Sequence, residues 1–253
     1  MKIVFLGVGE AFDENQPNNS ILVASAKTNL LLDCGMTAAP QVWKYNPDPN
    51  FLDAVYISHQ HADHLFGLPG LLLRMWEGGR KRDLTIICQK GLKDSFKYFM
   101  EFAYKGFKAK FGYKIILIGL ESKKDKNILF RDLKLSFENT KHSGDNLAVK
   151  ITNWTDWEKN IAYSGDGSPL AGTDFYKNLD LLILETYKYN EDIIGHSSIV
   201  SAVSFAELNN AKCLALTHIN RDERKNQLPK LKKKIKSKKV KIIIPKALDE
   251  YEI

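Results

Sequence analysis

The stretch Ser58-His59-Gln60-His61-Ala62-Asp63-His64 places three imidazoles and a carboxylate directly after the apolar run Ala54-Val55-Tyr56-Ile57. In an extended or gently turned segment, His59 and His61 project to the same side and can take one ion. Asp63 and His64 follow a further bend and can reach a second. Imidazole and carboxylate together suit Zn²⁺, whereas a Mg²⁺ or Ca²⁺ site would be richer in oxygen. Three more candidate ligands lie downstream: His142 after Thr140-Lys141, Asp166 in Ser164-Gly165-Asp166-Gly167, and His218 in Leu216-Thr217-His218. Each falls in a loop after an expected strand, where a rigid sheet can hold it. The set suits two ions sharing a carboxylate and a hydroxide.

The elements that must position these groups follow from hydrophobic spacing. Lys2 to Leu6 reads as a strand, and Ser20 to Val23 with Asn29 to Leu32 as a hairpin ending in Asp33-Cys34-Gly35. Asp53 to Ser58 is a strand, Leu65 to Met75 a helix interrupted by Gly67 and Pro69, Leu84 to Cys88 a strand and Lys90 to Tyr104 an amphipathic helix. Strands are expected at Tyr113 to Ile118, Leu133 to Phe137, Leu147 to Thr152, Asn160 to Tyr163 and Leu179 to Leu184. A helix from Ser197 to Leu208, capped by Ser197 or Ser198, precedes a strand at Cys213 to Thr217. A helix from Lys225 to Ile235 and a last strand from Val240 to Ile244 complete the order. Strands come first in hairpins, helices then intervene, and the pattern repeats. The inferred architecture is α/β (α+β): two mixed sheets face to face with helices outside and polar residues emerging along one edge.

Composition is globular, with 44% hydrophobic and 26% charged residues, and no apolar run approaches the roughly 20 residues of a membrane span. One domain over residues 1–253, without a membrane partner and cytoplasmic, is the expectation, Met1 to Leu6 being a strand rather than a signal core. Cys34, Cys88 and Cys213 lie far apart beside aliphatic residues and read as buried free thiols. Much of the net charge of +7 gathers between Lys230 and Lys246, as a solvated helix face or a nucleic-acid patch. The run from Lys97 to Phe111, containing Lys105, Lys108 and Lys110, is an amphipathic helix with its loop, or a base-stacking surface. Gly7 and Gly9 point to a tight turn beneath the histidines.

The run His59 to His64, with His142, Asp166 and His218 in that order, resembles the metallo-β-lactamase superfamily, whose fold is the αββα sandwich. Met1 to Gly7 resembles its opening strand and Leu30-Leu31-Leu32-Asp33-Cys34-Gly35 its second conserved segment. Within the superfamily the likeness is to ribonuclease Z, carried by Gly67-Leu68-Pro69-Gly70-Leu71-Leu72, Leu181 to Thr186, Gly195-His196-Ser197-Ser198 and Leu216-Thr217-His218. The resemblance implies that His59, His61 and His142 hold one ion, that Asp63, His64 and His218 hold the other, and that Asp166 bridges them. Two such cations lower the pKa of a bridging water and offset charge on a phosphate oxygen. Asp63 can also orient or deprotonate that water, and His196, matched with Glu185, is implied as the general acid.

Ribonuclease Z carries a long tRNA-gripping arm between the positions matching His142 and Asp166, and here only Ser143 to Gly165 separate them. Leu184 stands where that pattern commonly has histidine. The expectation is therefore a binuclear phosphodiesterase acting on a nucleotide, cyclic nucleotide or other small phosphodiester. A ribonuclease Z-type endoribonuclease using Lys105, Lys108, Lys110 and the C-terminal lysines on RNA is the second reading. A metal-binding nucleic-acid or protein module without turnover is the third, and the intact ligand set counts against it. Two divalent ions are implied, Zn²⁺ first, with Mn²⁺ or iron also suited. A homodimer is the default oligomer.

Overall fold

The computed structural model describes residues 1–107, 110–121, 127–155 and 159–253; Lys108 of the basic run lies outside them. Strands β1 (Lys2–Gly7), β2 (Ser20–Ala24) and β3 (Asn29–Leu32) form an antiparallel meander. Helix α1 (Ala38–Tyr45) leads to β4 (Ala54–Tyr56). The helix pair α2 (Ala62–Leu65) and α3 (Leu68–Glu77) leads to β5 (Leu84–Gln89), and α4 (Lys90–Ala103) leads to β6 (Ile115–Leu120). These three strands pair in parallel from β3 outward.

The second sheet repeats that plan. Antiparallel β7 (Ile128–Phe130), β8 (Leu133–Lys141), β9 (Leu147–Asn153) and β10 (Asn160–Tyr163) come first, with β11 (Ser168–Pro169) returning to β8. Then β12 (Leu181–Glu185), α5 (Ile199–Leu208), β13 (Cys213–Thr217), α6 (Arg221–Lys234) and β14 (Lys241–Ile243) follow, their strands parallel. A final strand, β15 (Asp249–Glu252), returns to the first sheet and pairs antiparallel with β1.

Period-two patterning builds the layers. Ile3 and Phe5 join Leu135, Ile151 and Ile183 in the core between the sheets, while Val4 and Leu6 face α1 and α3 with Leu31 and Val55. On the far side Leu182, Leu184, Leu214 and Leu216 pack against α5 and α6. The inner parallel strands β4, β5, β12 and β13 thus bury both faces, which is why those segments are continuously apolar.

Several expectations need correction. The chain does not end its strands at Ile244: β15 is charged and edge-placed, with only Tyr251 turned inward against Phe5, so apolar alternation did not mark it. Helix α1 and the short strands β7 and β11 were not expected. Pro69 does not interrupt a helix but sits in the first turn of α3, where no backbone donor is needed, and the break falls at Phe66-Gly67. Gly67 is required there because a Cβ would lie 2.0 Å from the Gly35 carbonyl oxygen. Gly7 and Gly9 are close-approach positions, their added Cβ atoms meeting the Asn18 and Gln16 carbonyls at 2.1 and 2.5 Å. Cys34 and Cys88 are buried free thiols and Cys213 is only partly covered.

Candidate active site

The first cluster begins where β4 ends, on the rigid parallel part of the first sheet. His61 caps α2 without a side-chain bond, and that short helix turns Asp63 and His64 inward. His142 follows β8, Asp166 follows β10 and His218 follows β13, so with β4 four strand ends converge on one edge. His218 sits at φ +55°, a left-handed conformation uncommon for non-glycine residues.

The donor atoms form two groups. Those of His59, His61, His142 and Asp166 lie within 4.8 Å of one another, as do those of Asp63, His64, Asp166 and His218. Asp166 belongs to both, its Oδ1 lying 3.0 Å from His64 Nε2 and its Oδ2 3.1 Å from His218 Nε2. His142 Nε2 and His61 Nδ1 face each other at 3.2 Å. His59 Nε2 is buried without a hydrogen-bond partner, and His64 Nε2 lies between the Asp63 and Asp166 carboxylates at 3.2 and 3.0 Å, an arrangement that a cation would complete.

Protonation shows the positive charge that the cluster calls for: burial opposes charge on His64 and His218, but Asp166 outweighs it and raises His64 well above the usual histidine range and His218 to about 10, protons standing where cations would. Burial and the neighbouring His64 hold His59 well below the usual histidine range, leaving it a neutral imidazole. Burial opposes charge on Asp166, but His218 and His64 outweigh it and keep the carboxyl well below its ordinary range. For Asp63 burial is likewise outweighed, by hydrogen bonds with His218 and His64, so its carboxylate stays ionised. The donor set therefore fits a pair of divalent ions.

Beneath the histidines lies a carboxylate whose role the sequence reading missed. Asp33, fully buried at φ +60°, accepts from the Ser58 backbone N–H (2.7 Å) and hydroxyl (2.8 Å) and from Tyr163 Oη (2.6 Å). It also binds His64 Nδ1 at 2.7 Å, and Ser58 Oγ in turn contacts His59 Nδ1 at 3.0 Å. Each imidazole is thereby anchored by Nδ1 with Nε2 turned to the donor cluster. The one available signal was its position, an aspartate closing the apolar strand Leu30-Leu31-Leu32.

Glu185 and His196 meet as a pair. His196 Nδ1 donates to Glu185 Oε2 at 3.0 Å, and the other oxygen accepts the Ser197 N–H at 2.9 Å. Glu185 is 1% exposed, and burial pushes its carboxyl up to about 7 against the pull of His196. His196 stacks parallel on His218 with ring centroids 5.6 Å apart, and its own donor atom, with those of Glu185 and His218, forms a third close group. The Gly195 carbonyl accepts from His142 Nδ1 at 3.2 Å, so the segment bearing His196 also orients a member of the first donor group.

Two mixed sheets between helices, with a histidine and aspartate cluster along the strand ends, define a metallo-β-lactamase-fold hydrolase of the ribonuclease Z-like kind. The metallo-β-lactamase fold protein YhfI from Bacillus subtilis superposes with a TM-score of 0.81 at 24% identity, covering 99% of this chain and 98% of that one. Human tRNase Z, short form, matches with a TM-score of 0.81 at 21% identity, over 100% and 99% of the two chains. The Ribonuclease Z of Methanocaldococcus jannaschii is 29% identical over 310 aligned positions, covering 100% of this chain and 97% of that one. That span exceeds the 253 residues here, so that relative carries residues with no counterpart in this chain. The family model described as Anti-Pycsar protein Apyc1 matches residues 1–198, and the chain belongs to that family. Among the described residues no helix is long and apolar enough to cross a membrane.

Proposed function

We propose that this protein is a binuclear metal-dependent phosphodiesterase that hydrolyses a small phosphodiester such as a cyclic nucleotide. The observation that carries the reading is the pairing of a buried Glu185 with His196 beside the double donor cluster, on a chain with no room for a tRNA-gripping arm. Between His142 and Asp166 the described residues hold only β9 and β10 with their connections.

When bound, the two ions acidify a water and offset negative charge on the phosphate oxygens. His59, His61 and His142 would hold one ion, Asp63, His64 and His218 the other, and Asp166 both. The first group is rich in nitrogen and suits Zn²⁺; the second, with two carboxylates, is tolerant of Mn²⁺ or iron. Asp63, already ionised, accepts a hydrogen bond from the attacking water and orients it. Glu185 fixes the His196 tautomer by taking Nδ1–H, which leaves Nε2 to carry the proton given to the departing oxygen. Cleavage of the P–O bond then releases an alcohol rather than an alkoxide.

A ribonuclease reading is favoured by the names of the curated relatives and by the exposed lysines along and after α6. Turnover of a precursor tRNA, a short RNA and a nucleoside cyclic phosphate at several salt concentrations separates the two. The proposed function predicts efficient, weakly salt-dependent hydrolysis of the cyclic phosphate. Preference for RNA, weakening steeply as salt rises, would overturn it in favour of the second reading.

A further inference from the structure

Arg80 and Arg224 are both buried, and they are satisfied very differently. Arg80, 1% exposed, spends all three nitrogens on carbonyls: Nε on Arg82 at 2.7 Å, Nη1 on Pro49 at 2.7 Å, and Nη2 on Leu52 and Asp83 at 2.8 and 2.9 Å. Arg224, 8% exposed on the first turns of α6, donates only from Nη1, to the Pro245 carbonyl at 3.3 Å. Its Nε and Nη2 are buried and have no hydrogen-bond partner among the described residues. Those two nitrogens form one edge of the guanidinium, the edge that matches two oxygens of a carboxylate or phosphate. Burial lowers the pKa of the group against the pull of Asp13, so a buried positive charge stands without a bonded counter-charge.

Arg224 lines a cavity of about 210 Å³ between the loop after β1, α6 and the segment after β14. Arg221 and Lys225 line it from the same helical face, and Lys246 reaches it from across. Arg221 is already paired with Glu10 at 2.6 Å, so the excess charge comes from Arg224 and the two exposed lysines. The volume is below the roughly 300 Å³ at which pockets hold a drug-sized molecule, which suits a small anion. One carboxylate faces these cations. Asp13 Oδ1 accepts the Asn15 and Gln16 N–H groups at 2.8 and 3.0 Å, which fixes it in a turn, and Oδ2 is buried without a partner among the described residues. An unpartnered donor edge and an unpartnered acceptor oxygen thus line one small cavity without bonding each other.

We propose that this cavity is a binding site for inorganic phosphate, with Arg224 donating to two of its oxygens and Asp13 accepting its P–OH. A ligand that satisfies both side chains must carry acceptor oxygens and a hydroxyl on one small centre. Inorganic phosphate keeps a P–OH through neutral pH, whereas a phosphate monoester loses its last one near pH 6 and sulfate has none. The carboxylate therefore repels the anions that lack a proton and bonds the one that has it. The hydrolysis proposed above releases a monoester, so this site serves neither its substrate nor its product and stands independently of that reading.

The test follows the ¹H–¹⁵N signal of the Arg224 Nε–H in the metal-loaded protein during titration with inorganic phosphate, methyl phosphate and sulfate, at pH about 8, where methyl phosphate has lost its proton. Arg224→Lys, which keeps the charge and loses the fork, identifies the signal by its absence. Phosphate should shift the signal saturably and bind about tenfold or more tightly than either other anion, the usual worth of a hydrogen bond to a charged group. Asp13→Asn keeps the turn and replaces the acceptor by an amide that can donate. It should weaken phosphate about tenfold, strengthen sulfate and so abolish the preference. No response to phosphate, or an equal response to all three anions in the native protein, would overturn the site, the second outcome leaving only attraction to a basic surface. A preference for phosphate that survives Asp13→Asn would also overturn it and assign the selectivity to the metal centre. No readout uses turnover, so failure of the hydrolytic reading would leave this inference standing.

Discussion

The floor and the rim of the site use the same device to opposite ends. On the floor, buried Asp33 grips His64 by Nδ1 at 2.7 Å; on the rim, buried Glu185 grips His196 by Nδ1 at 3.0 Å. In both, a carboxylate fixes the tautomer and aims Nε2. What differs is where that nitrogen lies. His64 is wholly buried, its Nε2 between the Asp63 and Asp166 carboxylates, whereas the His196 ring lines an open cavity. On the proposed function, a carboxylate–imidazole pair would serve as a ligand support where its free nitrogen meets fixed anions and as a proton donor where it meets substrate. The anchoring differs too: Asp33 holds Ser58 after β4, His64 in α2 and Tyr163 in β10, while Glu185 holds His196 and the adjacent Ser197 N–H. Damage to the floor should therefore affect stability and every substrate, and damage to the rim should depend on the leaving group.

The largest effect is expected for Asp33→Ala, which strands the Ser58 N–H, Tyr163 hydroxyl and His64 Nδ1 in the interior. Chemical denaturation should show a loss of about 3–5 kcal/mol, and elemental analysis a fall in bound metal. Unchanged stability would mean that the floor is not the rigid part. His196→Ala should lower turnover about 10²–10⁴-fold for diesters with alkyl leaving groups and far less for p-nitrophenyl diesters, whose leaving oxygen is already acidic. Equal losses for both would reduce His196 to a positioning residue. Ser58→Ala removes the contact to His59 Nδ1 and should weaken metal binding about 10–100-fold in a competition titration, without altering leaving-group dependence.

A third buried carboxylate, Asp132, serves as the control because no histidine adjoins it. It accepts from Thr28 Oγ1 at 2.6 Å, Ser25 Oγ at 2.9 Å and the Lys27 N–H at 3.1 Å. Burial alone would raise its carboxyl, but these bonds outweigh it and hold it below the ordinary value. A lowered folded-state pKa gives stability that is present above pH about 4 and lost as pH falls below it. Asp132→Asn should cost about 1–3 kcal/mol at neutral pH, flatten the acid limb of the stability profile and leave kinetics unchanged.

Much of this molecule was legible in its residues. His59, His61, Asp63 and His64 announce themselves because local spacing alone brings them together, and the inner parallel strands read as apolar runs because both faces are covered. β15 was missed because an edge strand needs only one inward residue, Tyr251, and α1 because its Pro40 and short length weaken the helical signal. Asp33 was visible only as a member of a resembling segment, since nothing in a sequence reports which distant groups a buried carboxylate will satisfy.

By itself, then, the sequence determined the chemistry available: imidazoles and carboxylates at strand ends, a basic surface, and a segment between His142 and Asp166 too short for an arm. Only the tertiary structure decided how those groups divide, placing Asp166 in both donor groups, Asp33 under His64, and Glu185 against His196. Residue type and local spacing set what a side chain can do, whereas burial and long-range partners, which depend on how the two sheets pack, set which nitrogen is free and what it faces.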